Sequence, residues 1–462
     1  MRLSVFRLGL IVFLVLSDVA AEAADTWKAG VAIKVITPSE PMWMAGYGAR
    51  NKPAEGKQHD LHVKALALED AARQRVVLLT SDLVGIPREL AEAVTAEVTR
   101  RTNIPRANIM LTASHTHCGP VTRDSLLSMY DMPADETKKI QPYTDKLQGW
   151  MVEVIVAAVA DLKPAKIAVG QGTARFAVNR RQPTPKGFIN GINPDGPVDH
   201  EVPVLRVEGT DGKLRAVVFG YACHNTTMQF YQWCGDYAGF AQLNLEEKHP
   251  GAVALFWSGC GADANPLPRS KIELCQKYGR ELADAVEGVL AAKIRPVESA
   301  AVAKYATIAL SFDALPDKEK WAADALSKTH AVRRRAEGYL KMLAEGKKID
   351  DNYRHYPVQV WRLGGEIVWV ALGGEGVVDY SLRLKKEIAA VKELGGVRSV
   401  WVTAYANDVM AYIPSERVLK EGGYEADSSM IYYGQPTKWA PGLEGKIVGK
   451  AMQLARDAVM QK

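Results

Sequence analysis

Residues 27–36 read as a strand, and residues 62–68 alternate apolar and polar positions with a period of two, the pattern of a strand with one face in a core. Residues 76–79, 108–112 and 252–257 are apolar without alternation, as strands covered on both faces are. Residues 88–100 and 143–161 instead read as helices. This succession of strand, helix, strand and helix predicts an α/β layer with at least some parallel strands.

Further along, residues 204–207 and 214–221 flank the turn dipeptide Asp211-Gly212 and predict a hairpin. Residues 271–290 predict an amphipathic helix, residues 301–312 a strand pair, and residues 318–343 one charged helix placed to cover a site. A second hairpin is predicted for 358–363 and 366–372 across Gly364-Gly365. A helix at 378–392, a strand at 397–404 and a terminal helix after Pro441 follow. No linker, repeat or low-complexity tract divides the chain. The expected architecture is one α/β catalytic domain at 24–462, a mixed sheet with helices packed on it.

Polar chemistry gathers where these strands end. The 108–112 strand runs into Ser114-His115-Thr116-His117-Cys118-Gly119-Pro120, with His115 and His117 two residues apart so that both imidazoles share one face. The 214–221 strand runs into Cys223-His224-Asn225, and the 252–257 strand into Gly261-Ala262-Asp263-Ala264-Asn265. The 366–372 strand leads to Gly374-Glu375, and the 397–404 strand to Asn407-Asp408 and Tyr412. Ligands of α/β sheets bind at strand carboxyl ends. Each residue also has an ordinary reading: His224 as a core histidine, Glu375 as a helix cap, Asp263 as a turn residue, Tyr412 as a packed aromatic. Taken together, two histidines and a carboxylate are a ligand set of hydrolytic zinc.

Composition changes this picture little. The chain has 462 residues, 47% hydrophobic, with 58 basic and 53 acidic side chains for a net charge of +5. No block of like charge suggests nucleic acid, and Arg333-Arg334-Arg335 lies in a mixed-charge helical segment. Arg2 and Arg7 precede an apolar run at 8–16 and the small-residue pattern Ala21-Glu22-Ala23, which predicts a secretory signal at 1–23 and an exported, periplasmic or secreted, protein. The five cysteines, Cys118, Cys223, Cys234, Cys260 and Cys275, are expected to pack in the core or to form one or two disulfides.

Over residues 30–433 the sequence resembles the neutral ceramidases, also called neutral/alkaline non-lysosomal ceramidases. The segment from Ser114 to Pro120 is similar to that family's His-Thr-His-Ser-Gly-Pro, Cys223-His224-Asn225-Thr226 to its second zinc histidine, and Gly374-Glu375 to its carboxylate ligand. Ala411-Tyr412 and Gly423-Tyr424-Glu425 reproduce two tyrosines twelve residues apart, and Asn179-Arg180 an Asn-Arg pair. The resemblance implies one catalytic zinc ion held by His115, His224, Glu375 and Tyr412. His117 would support those ligands or face the substrate, Tyr424 would contact the substrate, and Arg180 would shape the site. It also implies an N-acyl lipid as substrate, cleaved at its amide by zinc-activated water, and leaves room for peripheral membrane contact.

Two departures stand out. Asn265, in Ala262-Asp263-Ala264-Asn265-Pro266, occupies the position of the serine in the family's Gly-Asp-Val-Ser-Pro-Asn, so covalent catalysis by a serine there is excluded. The chain also ends about where the family's catalytic domain ends, so the family's C-terminal β-sandwich is expected to be missing. Two further readings follow: a zinc hydrolase of another ester, amide or glycan, and a non-catalytic exported binding protein on the same fold. Met42, Trp43, Met44, Met129 and Met132, in the loops at 38–57 and 129–139, are expected to line an apolar groove if the substrate carries an acyl chain.

Overall fold

The computed structural model describes residues 27–395 and 397–459. The expected signal at 1–23 lies outside the described residues. Eight strands lie side by side in the order Val253–Ser258, Leu214–Tyr221, Glu201–Gly209, Lys163–Thr173, Trp27–Val35, His62–Glu69, Arg75–Ser81 and Ile109–Ala113. The pairs at the two ends of this sheet are parallel, and the pairs between them are antiparallel. A second sheet contains Ala301–Ser311, Asn352–Leu363, Ile367–Leu372 and Ser399–Thr403, the last two parallel to each other.

Side-chain alternation sorts these strands into layers. Ala65, Ala67, Val77, Leu79, Val217 and Phe219 face outward into a core with the helices Arg88–Thr102, Ala134–Ala160, Asp236–Lys248 and Ile272–Ala291. Their neighbours Leu66, Leu68, Val76, Leu78 and Val218 face inward and meet Trp361, Trp369 and Trp401 of the second sheet. The far face of that sheet packs against Val378–Ala389 and Leu443–Asp457. The result is helices, sheet, sheet and helices in one mixed α/β unit. The strands without alternation are those pressed between two such cores. Between the sheets, Trp257, Trp361, Trp369 and Trp401 pack with ring centroids 5.1–6.3 Å apart.

Several sequence expectations change here. The residues from 301 to 312 form one strand, not a pair; its partner is Asn352–Leu363, and a register shift between Ile308 and Leu310 gives it an irregular pattern. The charged helix expected at 318–343 is two helices, Lys318–Asp324 and His330–Ala344. Asp317 caps the first by accepting from Lys320 N, and Ser327-Lys328-Thr329 separates the two. The helix expected from 143 begins at Ala134 and carries Pro142 within it. Its buried face, including Tyr143, Leu147, Met151 and Ile155, outweighs a helix-interior proline's cost of about 3 kcal/mol. The strands Lys163–Thr173, Ala177–Thr184 and Gly187–Asn193 and the helix Asp236–Lys248 were not legible in the sequence.

The five cysteines are all free and buried, so core packing is their role and the disulfide alternative does not hold. Among the described residues no helix is long and apolar enough to cross a membrane.

Trp369 is 1% exposed and touches three other indoles at the centre of the inter-sheet core. Trp369→Ala is expected to cost about 3–5 kcal/mol in urea denaturation, the range for large aromatic truncations in a close-packed core. A loss under 1 kcal/mol would show that the indole cluster does not join the sheets.

Candidate metal centre

The large sheet curls until its two edge strands meet. Ser258 Oγ, at the end of one edge, donates to the Ser114 carbonyl at the end of the other at 2.8 Å. The segment leaving Ser399–Thr403 bridges both, through Thr403 with Gly259 and Ala406 with Thr112. Because the paired strands are parallel, their carboxyl ends lie side by side. Five such ends deliver His115 and His117, His224, Asn265, Glu375, and Tyr412 to one place, as the strand-end pattern in the sequence implied.

Local backbone fixes each approach. His115 has φ +60°, a left-handed turn that is costly for a residue with a Cβ and that swings its ring out of the strand line. Asn225 Nδ2 also donates to the Ser114 carbonyl, and His117 N donates to Asn225 O at 3.3 Å, so the two histidine loops are tied together. Gly374, at φ +70°, precedes Glu375; a Cβ there would lie 2.7 Å from the Ala411 carbonyl. That contact lets Glu375–Gly376 pair in parallel with Tyr412–Ile413. Gly46, at φ +95°, is similarly close to His117, whose ring a Cβ would meet at 2.4 Å.

The cluster is buried: His115, His224, Glu375 and Tyr412 are at most 3% exposed. His115 Nδ1 donates to Val84 O at 2.5 Å, and His224 Nδ1 to Gly261 O at 2.9 Å. A carbonyl oxygen only accepts, so Nδ1 carries the proton in each ring and Nε2 of the neutral ring presents a lone pair. Both Nε2 atoms face Glu375 Oε2, at 3.1 and 3.2 Å. His117 Nε2 lies 3.1 Å from His115 Nε2, and Tyr412 Oη lies 3.2 Å from His224 Nε2. Burial, then the Arg180 charge, lowers the His224 imidazole to about 4, and burial with the neighbouring histidines pushes His117 well below its usual range.

Lone pairs thus face a buried carboxylate oxygen that has no hydrogen-bond partner of its own. That arrangement is repulsive unless a cation stands among the donors. The spacing suits one: ligands at about 2.0–2.1 Å in a tetrahedral zinc site are about 3.3 Å apart. His115, His117 and His224 form a group whose ligand atoms lie within 4.8 Å of one another. The donors therefore fit a metal ion, with His115, His224 and Glu375 at the centre and His117 and Tyr412 in reach.

Around this centre, Arg180 Nη2 donates to Tyr412 Oη at 3.1 Å and Nη1 to Asn265 Oδ1 at 3.3 Å. Glu425 holds Arg180 Nε at 2.8 Å and is itself gripped by Arg181. Tyr424 packs edge-on to Tyr412, centroids 5.3 Å apart, and stays half-buried. Asn265 Oδ1 also accepts from Thr226 Oγ1 at 3.4 Å. Asp263 lies differently. Its carboxylate accepts from Val378 N at the start of Val378–Ala389 and from Asn179 Nδ2, while its carbonyl accepts from Arg180 N. It holds the hairpin and helix around the cluster, and none of these bonds reaches the histidines.

Sequence reasoning missed Tyr433, whose hydroxyl donates to Glu375 Oε1, Tyr405, whose ring lies 4.3 Å from that of His115, and Tyr47, 4.7 Å from His117. The tyrosine-rich segment after 405 was the available signal. The loop residues Met42, Trp43 and Met44 are at most 2% exposed and Met129 9%. Trp43 and Met129 form a small core with Val121 and Tyr130, against which Met132, Tyr432 and Tyr433 pack. Trp43, Met129 and Met132 thus anchor the loops, while Met42 reaches a surface cavity between residues 35–42 and the helix Ala134–Ala160, lined also by Pro142, Tyr143 and Trp150 and by none of the clustered histidines.

The family model described as neutral/alkaline non-lysosomal ceramidase, N-terminal, matches residues 27–266. The neutral ceramidase of Mycobacterium tuberculosis is 25% identical over 260 residues, covering 52% of this chain and 36% of that protein. The neutral ceramidase of Pseudomonas aeruginosa is 26% identical over 234 residues, covering 46% and 33%. The chain therefore matches about a third of the length of these relatives. The crystal structure of the Pseudomonas aeruginosa enzyme superposes with a TM-score of 0.72 at 18% identity, over 94% of this chain and 75% of that one, which shows a shared fold.

Behind the cluster, Asp408 is buried and accepts from the Tyr353 hydroxyl, and burial raises its carboxyl from 3.8 to about 7. Between those values the folded chain keeps a proton that the unfolded chain has lost, so stability falls as pH rises through that window. Asp408→Asn removes the titration. The variant's stability relative to the parent is expected to rise between pH 4 and 7, by on the order of 4 kcal/mol at most. Urea denaturation at three pH values checks this, and parallel profiles would contradict it.

Proposed function

The chain belongs to the neutral/alkaline non-lysosomal ceramidase family, and from that premise we propose that it is an exported zinc-dependent hydrolase that cleaves the amide bond of an N-acyl lipid. The observation that carries this reading is the pair of imidazole lone pairs facing the Glu375 carboxylate at 3.1 and 3.2 Å, a donor set that suits zinc. His115, His224 and Glu375, with Tyr412, would hold the ion. Zinc, when bound, supplies a Lewis acid and an acidified water, the chemistry amide hydrolysis needs.

The chain's own residues do the rest. Arg180 keeps its charge beside Tyr412 Oη and fixes that phenol against His224. Through Nη1 it also fixes Asn265 Oδ1, leaving the amide Nδ2 to donate to charge developing on a substrate carbonyl oxygen. An amide is no nucleophile, so Asn265 acts by hydrogen bonding. Tyr424, half-buried beside Tyr412, is placed to contact the substrate. His117, the most exposed histidine of the cluster at 8%, is placed to pass a proton to the leaving nitrogen from Nε2. Export rests on the apolar N-terminal run alone.

A second reading keeps the metal and changes the substrate to another ester, amide or glycan. Asn265 at the family's serine position favours it, as does the burial of the loop residues Trp43 and Met44.

The test is metal content of the mature protein together with hydrolysis of a fluorogenic N-acyl sphingosine and a panel of simple esters and amides. The parent is expected to carry one zinc per chain and release fatty acid, and His115→Ala and His224→Ala to lose both metal and turnover. Zinc with turnover only elsewhere in the panel moves the assignment to the second reading. Full activity in either variant would overturn the site.

A further inference from the structure

The two oxygens of Glu375 have separate partners. Oε2 faces His115 Nε2 and His224 Nε2, while Oε1 accepts a hydrogen bond from the Tyr433 hydroxyl. Tyr433 comes from another part of the chain, just beyond the short turn Ser428–Ile431, and the mechanism above makes no use of it.

Its placement is built from three sides. Its ring packs against the small core of Trp43, Val121 and Met129. The ring of Tyr412 lies 6.3 Å away on another side. The backbone just after it is pinned by the helix His330–Ala344: Tyr339 Oη donates to Gly434 O at 2.8 Å and Arg335 Nη1 to Gln435 O at 3.4 Å. Gln435 Nε2 in turn donates to Met410 O at 2.9 Å, two residues before Tyr412. Tyr339 is itself stacked on Trp321 of the preceding helix, centroids 4.7 Å apart. The two helices that stand where the sequence suggested one covering helix are thus a brace for the segment that carries Tyr433.

A free carboxylate can rotate and offer either or both oxygens to a cation. One oxygen engaged by a fixed hydroxyl sets the plane of the group and leaves the other as the ligating atom. We infer that Tyr433 is a positioning residue that holds Glu375 as a single-oxygen metal ligand, and that the helix His330–Ala344 sets Tyr433 through Tyr339. The inference rests on the metal reading of the site and deepens it.

The experiment compares the parent with Tyr433→Phe, Tyr339→Phe and, as a control on the same segment, Tyr432→Phe. Three quantities are read: zinc affinity by chelator competition, the visible absorption of the cobalt(II)-substituted protein, and the melting temperature of the metal-free chain. Tyr433→Phe is expected to bind zinc about 10–100-fold more weakly, the usual effect of removing a group that orients a ligand. Its cobalt spectrum should differ from the parent's, with metal-free melting little changed. Tyr339→Phe should shift affinity the same way by a smaller factor, and Tyr432→Phe should match the parent. If Tyr433→Phe does not fold, the Tyr339→Phe shift against the Tyr432→Phe control decides. An affinity within twofold of the parent with a superimposable cobalt spectrum would overturn the inference alone. So would equal weakening by Tyr432→Phe, since that reports a loosened loop. A parent chain that takes up no zinc or cobalt would bring down the metal reading and this inference with it.

Discussion

Buried lone pairs directed at a buried carboxylate are the constraint on which the rest of the structure depends. His115 and His224 each spend their Nδ1 proton on a backbone carbonyl, of Val84 and Gly261, and so turn unprotonated nitrogens toward Glu375. With neutral rings that arrangement is unfavourable unless a cation stands among the donors, and burying it unpaired costs several kcal/mol. The fold meets that cost elsewhere. The indoles between the sheets and the helices on both outer faces hold rigid strands whose ends have little freedom to relax.

Parallel pairing explains why the candidate ligands arrive together. In each of the three pairs that feed the site, Arg75–Ser81 with Ile109–Ala113, Leu214–Tyr221 with Val253–Ser258, and Ile367–Leu372 with Ser399–Thr403, both strands end on the same side. Curling of the large sheet joins its edges through Ser258 and Ser114, and the small pairing of Glu375–Gly376 with Tyr412–Ile413 adds the carboxylate and phenol. Around them a chain of buried ion pairs, Arg180 to Glu425 to Arg181 to Glu421, carries charge balance out toward the surface. Arg180 can therefore remain charged beside the imidazoles, because Glu425 is its counter-ion.

Much of this was legible in the sequence. Strands covered on both faces announced themselves as unbroken apolar runs, and the change from apolar to small and polar residues marked five strand ends correctly. Other parts were not legible, for identifiable reasons. The hairpin Ala177–Thr184 and Gly187–Asn193 is held through the ion pairs of Arg180 and Arg181 with Glu425 and Glu421 and the hydrogen bond from Asn179 to Asp263, so it lacks apolar alternation. Pro142 hid the start of a helix whose packing tolerates it. Trp43 and Met129 suggested a ligand surface, but an apolar residue in a loop looks the same whether it faces a groove or anchors the loop beneath. Asp263 shared a strand end with Asn265, but the fold turns its carboxylate to a helix terminus. Tyr433 was invisible because its partner lies 58 residues away.

X-ray absorption at the zinc edge of the metal-loaded protein tests the central claim most directly. The account predicts nitrogen and oxygen neighbours at about 2.0–2.1 Å with the outer-shell scattering of at least two imidazoles, and no sulfur. A sulfur shell near 2.3 Å would place the metal among the buried cysteines. Either that shell or an absence of imidazole scattering would contradict the assignment of His115, His224 and Glu375 as the site around which the strands converge.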